Sequence, residues 1–256
     1  MDPLICAIAA AREAGALLLA AADGPLDVRQ KGVRGDLVTA LDRASERLIV
    51  ARLLACTPHA SILGEEDGEH GGTSDERWLV DPLDGTTNYA HGYPMYCVSI
   101  AYERAGELVA AALYAPVLDE LYAAERGAGA TCNGATLRVT DIASVGDALV
   151  CTGFMPGRFD VNADRFAHLS RSAQAVRRDG SAALDLAFTA RGRFDAFWEL
   201  DLHAWDVAAG ALLVREAGGI VTAVDGSAFT VAGGSLLAAG PALHGEMRRE
   251  LDVARR

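Results

Sequence analysis

At 256 residues the chain is long enough for one large domain or two smaller ones sharing a core. Hydrophobic residues make up 51% and charged residues 23%, the balance of a folded globular protein, which excludes a disordered or low-complexity chain. The formal net charge of −12 excludes an extended nucleic-acid face, which needs a basic stripe; an anionic substrate is compatible with it only where bound cations invert the local field.

Residues 4–22, rich in Ala and Leu, are expected to form an amphipathic helix with Leu4, Ile8, Ala11 and Gly15 on its inward face. Asp2 stands where a leader peptide carries a basic residue, and Arg12-Glu13 interrupts the apolar run, so neither a signal peptide nor a membrane span is expected. A short strand over 26–29 and a polar, glycine-punctuated loop over 31–36 follow. Thr39 is the expected N-cap of a helix reaching Cys56, with Asp42 in its first turn and Thr57-Pro58 as its stop. Residues 61–64 read as a strand leading to Glu65-Glu66-Asp67, and 67–76 as an acidic, mobile loop. Trp78-Leu79-Val80 reads as a buried strand that ends at Asp81, because Pro82 forbids its continuation. The β-type runs 97–104, 107–114 and 120–125 predict an antiparallel meander, and Asn133-Gly134 a tight turn. Beyond 141–147 the pattern changes. Strands at 148–151, 196–199 and 220–224 alternate with helices at 164–174, 181–189 and 206–216. The alternation predicts an α/β half, 141–256, packed on an α+β half, 1–140.

The five cysteines, Cys6, Cys56, Cys97, Cys132 and Cys151, are odd in number, scattered, and without a C-x-x-C pair. Buried free thiols in a cytoplasmic protein are expected rather than disulfides or a zinc knuckle.

The most informative stretch is Asp81-Pro82-Leu83-Asp84-Gly85-Thr86-Thr87-Asn88. Two carboxylates this close at a strand end repel unless a cation sits between them, and the Gly-Thr-Thr amides are available to an anion. A turn followed by a helix cap would use the same residue types. Glu65 and Asp206 also follow apolar strand-like runs, and ligands in α/β folds gather at strand C-terminal ends. Oxygen donors without a His or Cys cluster favour magnesium or manganese over zinc. His91 and His203 lack an evident acid partner, so no phosphorylated protein intermediate is expected.

These residues resemble the magnesium-dependent, lithium-sensitive inositol monophosphatase family. The resemblance rests on Gly64-Glu65-Glu66, on the block from Trp78 to Asn88, and on Trp205-Asp206-Val207-Ala208-Ala209-Gly210 with Glu216-Ala217-Gly218-Gly219. Lys31, Gly35-Asp36-Leu37-Val38-Thr39, Asp42, Cys132-Asn133-Gly134 and Gly180-Ser181-Ala182-Ala183 extend it over nearly the whole chain. It implies a layered αβαβα sandwich of the sugar-phosphatase type and a homodimer. By the same resemblance Glu65, Asp81 and the Leu83 carbonyl would bind one magnesium. Asp81, Asp84 and Asp206 would bind a second, and Glu65 would reach a third through water, with manganese as a substitute. Asp36 and Thr86 would form a dyad that helps deprotonate the attacking water, and the Gly85 and Thr86 amides would hold the phosphate.

The stretch from Thr87 to Pro94 is similar to the inositol-1-monophosphatase branch, and lacks the Lys-Glu of relatives that act on 3′-phosphoadenosine 5′-phosphate. Glu199, with Asp84 and the Ala182 backbone, would then accept hydrogen bonds from polyol hydroxyls; an exposed strand-end acid is the other reading of Glu199. Leu200-Asp201-Leu202-His203, where relatives often have a glycine and fewer charges, and Arg34, near the expected metal site, depart from the pattern. They leave open histidinol phosphate, fructose 1,6-bisphosphate or another sugar phosphate. A catalytically silent relative would require damage to the ligand set, and every expected ligand is present.

Overall fold

Small side chains decide how the first helix packs. In the computed structural model, which describes residues 1–22, 24, 28–30 and 37–254, helix α1 (Pro3–Ala21) starts at an Asp2 cap. It buries Cys6, Ala7, Ala10, Ala11, Ala14, Gly15 and Leu18. A Cβ on Gly15 would collide with the Tyr114 ring, so the helix lies hard against the sheet. Leu4 and Ile8, expected on the inward face, are only half-buried. The alanine stripe takes that face because it permits the closer approach. At 19 residues, with a mean hydropathy of 1.8 over an 18-residue window, α1 is by length and composition apolar enough to cross a membrane, which the sequence reading does not expect; here it packs on the neighbouring helix and sheet.

The expected loop 31–36, with Arg34 and Asp36, and the start of the expected strand at 26 lie outside the described residues. Strand β1 (Val28–Gln30) pairs with β2 (Leu37–Thr39). Helix α2 (Ala40–Cys56) follows its Thr39 cap, which forms a capping box with Asp42. A disulfide joins Cys6 to Cys56 and corrects the expectation of free thiols throughout. Packing of α1 on α2 brings the two Cα atoms to 6.4 Å, a proximity that a sequence separation of 50 conceals. Cys97, Cys132 and Cys151 are free and buried.

Strands β3 (Ser61–Gly64), β4 (Glu69–His70) and β5 (Glu76–Asp84), short helix α3 (Thr86–Ala90), and strands β6 (Cys97–Arg104), β7 (Glu107–Ala115), β8 (Glu120–Glu125), β9 (Gly129–Cys132) and β10 (Ala135–Thr136) come next. They form a sheet of order β10-β9-β8-β7-β6-β5-β3-β4, antiparallel except where β3 meets β5. The meander is as expected. β5 does not stop at Asp81: it runs through Pro82 to Asp84, with a register shift against β6 between Asp81 and Asp84. An irregularity of this kind accommodates a proline that the ladder itself would reject.

The remainder holds β11 (Leu149–Thr152), α4 (Asp160–Ser172), β12 (Ala175–Arg177), α5 (Ala182–Ala190), β13 (Ala196–Leu200), α6 (Ala204–Glu216), β14 (Ile220–Thr222), β15 (Ser235–Ala239) and α7 (Pro241–Val253). Their sheet has the order β12-β11-β13-β15-β14, parallel around β11 and antiparallel around β15. α1 and α2 cover the outer face of the large sheet, α5 and α6 lie between the sheets, and α4 and α7 cover the small sheet. The result is a layered αβαβα sandwich, and one core cluster runs from Leu79 in the large sheet to Leu236 in the small one.

Candidate active site

Four carboxylates arrive in one place from three elements. Glu65 follows β3, and its amide donates to the Val80 carbonyl at 3.2 Å, fixing the loop to β5. Asp81 on β5 is only 2% exposed, and its Oδ1 accepts from the Leu83 amide at 3.0 Å. Asp84 closes β5; its Oδ2 accepts from Ser181 Oγ at 2.7 Å and from the Ala183 amide at 2.8 Å. Asp206, in the first turn of α6, accepts from the His203 amide at 2.7 Å. All four line a cavity of about 580 Å³ that also takes in Leu83, Gly85, Thr86, Ala182 and Glu199.

The electrostatics follow from this crowding. Burial, then the charges of Glu65, Asp84 and Asp206, hold the Asp81 carboxyl well above the usual range. Burial and Glu65 push Asp84 up to about 6 against the hydrogen bonds from Ser181 and Ala183. Arg178 is the only Lys or Arg among the described residues lining the cavity. An oxygen-only donor set around the buried Asp81, with so little positive charge, fits a hard divalent cation.

Helix α2 holds this set from behind. Thr86 Oγ1 donates to Asp42 Oδ1 at 3.0 Å and to the Leu83 carbonyl at 3.1 Å; Asp36, its expected partner, is outside the described residues. Ser45 Oγ donates to the Pro82 carbonyl at 2.9 Å. The Glu46 carboxylate accepts from the Glu66 and Asp67 amides at 2.9 and 2.7 Å, and burial raises its pKa. Sequence reasoning missed Ser45 and Glu46 and saw Asp42 only as a cap and a motif match. A signal was present: Asp42, Ser45 and Glu46 stand at i, i+3 and i+4 in register with Ile49 and Leu53, and all five are buried. Gly85 turns the chain at φ +93, where a Cβ would lie 2.8 Å from the Met95 carbonyl, so only glycine fits.

The other wall is built from the small sheet. Glu199 on β13 is 5% exposed and faces the cavity, which rules out the exposed strand-end reading. Burial, then Asp206 and Asp84, hold its carboxyl well above the usual range, opposed by Arg178. A Cβ at Gly153 would collide with the Glu199 carboxylate. Asp201 does not line the cavity. It sits at φ +62, a conformation that favours glycine, with its carboxylate 3.1 Å from Arg158 Nη2. His203 stacks on Trp205 at 4.8 Å, and His91 is exposed.

A model of the inositol monophosphatase family matches residues 1–254. An inositol-1-monophosphatase of Rhizobium meliloti is 46% identical over 216 residues, covering 83% of this chain and 81% of that protein. A protein of Pseudomonas aeruginosa named Nus factor SuhB is 44% identical over 239 residues, covering 89% and 88%. Among solved structures, the inositol monophosphatase from Anabaena (Nostoc) superposes with a TM-score of 0.87 at 40% identity, covering 98% of this chain and 95% of that one. The Thermotoga maritima IMPase superposes with a TM-score of 0.92 at 33% identity, covering 100% and 98%.

Proposed function

The chain belongs to the inositol monophosphatase family and is a metal-dependent phosphatase, and from that premise we propose that it hydrolyses inositol 1-phosphate to myo-inositol and phosphate with magnesium. The observation that carries the reading is the convergence of Glu65, Asp81, Asp84 and Asp206 on one cavity that also contains Thr86 and Glu199. Glu65, Asp81 and the Leu83 carbonyl would hold one magnesium and Asp81, Asp84 and Asp206 a second; a third, weaker ion would sit near Glu65, and manganese would substitute. Bound ions of this kind polarise the phosphate and activate the attacking water.

The chain's own residues supply the remainder. Thr86, with Asp36 and with Asp42 as the acceptor of its hydroxyl, would orient and help deprotonate that water. The Gly85 and Thr86 amides would bind the phosphate oxygens. Glu199, Asp84 and the Ala182 backbone would accept or position the polyol hydroxyls. The division at about residue 140 belongs to the same proposal: the first half brings three of the acidic ligands, the second Asp206 and Glu199. A cytoplasmic homodimer inhibited by lithium is the expected context.

Asp201, held beside Arg158 and away from the cavity, favours the inositol reading, because it leaves Glu199 as the acid that meets the hydroxyls. Histidinol phosphate, fructose 1,6-bisphosphate or a broad range of sugar phosphates are the alternatives. Magnesium-dependent phosphate release should therefore be measured on inositol 1-phosphate, histidinol phosphate, fructose 1,6-bisphosphate and 3′-phosphoadenosine 5′-phosphate in parallel. A preference for the first is expected. A preference for another ester overturns the substrate but keeps the metal chemistry, and release from none favours a binding role instead.

A further inference from the structure

Behind the loop that holds Asp84, three side chains from three segments converge without a role in the chemistry above. Cys151 is on β11, Asp179 in the connection from β12 to α5, and Asp185 in the first turn of α5. One ligand atom from each lies within 4.8 Å of the other two. None of the three lines the cavity. Asp185 is 1% exposed, and both of its carboxylate oxygens are buried without a hydrogen-bond partner of ordinary geometry among the described residues. Cys151 is fully buried; its thiol lies a long 4.0 Å from the Thr152 carbonyl and also faces the Asp179 backbone and the Asp185 carboxylate, to which it is only a weak donor. Asp179 is half-buried. A buried carboxylate with nothing to accept from is costly unless a cation or a proton meets it.

We propose that Cys151, Asp179 and Asp185 form a second site, for one divalent cation of the zinc class. A thiolate beside two carboxylates is too soft a donor set for magnesium and suits zinc or cobalt, which take three protein ligands in a tetrahedral arrangement with one position to spare. On binding, the proton of the Cys151 thiol and any proton held by Asp179 or Asp185 pass to solvent, so three negative ligands meet two positive charges. Closing the ligands onto a common ion draws them in from their present spacing to bonds of about 2.0–2.3 Å. The ion would brace the start of α5, whose Ser181 and Ala183 hold Asp84.

Cobalt(II) distinguishes this site from the one already described, because only a cysteine ligand produces a thiolate-to-cobalt charge-transfer absorption, and the Glu65, Asp81, Asp84 and Asp206 set is all oxygen. The full chain, freed of metal, should be titrated with cobalt alone. The expected result is one equivalent bound with the charge-transfer band, its displacement by zinc, its loss in Cys151→Ala and Cys151→Ser, and at least ~10-fold weaker cobalt binding in Asp185→Asn. Two variants at Cys151 guard against one that fails to fold. No band at saturating cobalt overturns the proposal and leaves a shared proton between Asp179 and Asp185. A band that persists in both Cys151 variants also overturns it, and points to Cys97, whose sulfur lies 3.8 Å from Asp84 Oδ2. The readout is independent of the substrate, so this site and the phosphatase reading can fail separately.

Discussion

The Asp84 carboxylate is held by the protein while it lines the cavity. Its Oδ2 accepts from Ser181 and Ala183, and the Leu184 amide is a further donor to the group. Asp84→Asn removes a charge and a ligand while keeping the shape, so turnover should fall by roughly 100-fold or more, the several kcal/mol that a metal supplies to the transition state. Near wild-type turnover would remove Asp84 from the ligand set. Protons compete at the same oxygens. With Asp84 raised from 3.8 to about 6, the folded protein binds more protons than the unfolded chain across that window. Stability from this group is therefore full below the unfolded value and lost as pH rises through the folded one. Metal-free protein should melt at a higher temperature at pH 5 than at pH 8, and magnesium should shrink the difference; a chelator-treated melting series over pH tests this. Glu199 was legible only through the family pattern, since a lone strand-end acid reads as a surface residue. Glu199→Ala should cost activity on inositol 1-phosphate at least ~10-fold more than on an aryl phosphate, which has no hydroxyl ring to bind. Equal losses on both would place Glu199 outside the specificity pocket.

Helix α2 shows what an element contributes that no single residue reveals. Asp42, Ser45 and Glu46 interrupt its buried face, and each reaches a different segment of the site: Thr86, the Pro82 carbonyl, and the Glu66 and Asp67 amides. Glu46→Gln keeps the volume but replaces one acceptor oxygen with a donor facing an amide. That should cost about 1–3 kcal/mol of stability and raise the magnesium requirement about 10-fold with a smaller change in kcat. Unchanged magnesium dependence would make Glu46 structural only. The four carboxylates that line the cavity could be picked out of the sequence, because each follows an apolar run at a strand end or opens a helix. The α2 stripe could not, because an acid on a helix reads as solvent-facing until its neighbours are known. The same limit applies to backbone pairing. The meander was legible from alternating β-type runs and turn residues. Passage of β5 through Pro82 was not, because it depends on a register shift against β6. β15 is short, and three of its five residues are alanine or serine, poor strand formers; it holds its place by pairing with β13 and β14 on either side.

At the scale of the molecule, residues of both sheets line the candidate site, and the covalent constraint lies in the outer helical layer. The site draws on β3, β5, the start of α6 and the N-terminal half of α2, whereas the Cys6–Cys56 disulfide fastens the far end of α2 to α1. The bond lowers the entropy of the unfolded chain by closing a loop with a sequence separation of 50, worth about 4 kcal/mol as an upper figure. In a chain of this size that corresponds to roughly 8–16 °C in melting temperature. Because neither cysteine lines the cavity, turnover at 25 °C should be the same with the bond reduced or with Cys56→Ser, while both should melt below the oxidised protein. A thermal melt of oxidised, reduced and Cys56→Ser protein, paired with phosphate release from each, separates the two effects. Coincident melts would mean that the two thiols are already unlinked in solution. A loss of turnover alongside the lowered melt would mean that the grip of α1 on α2 reaches the Asp42, Ser45 and Glu46 contacts, and that α1 tunes the site through α2.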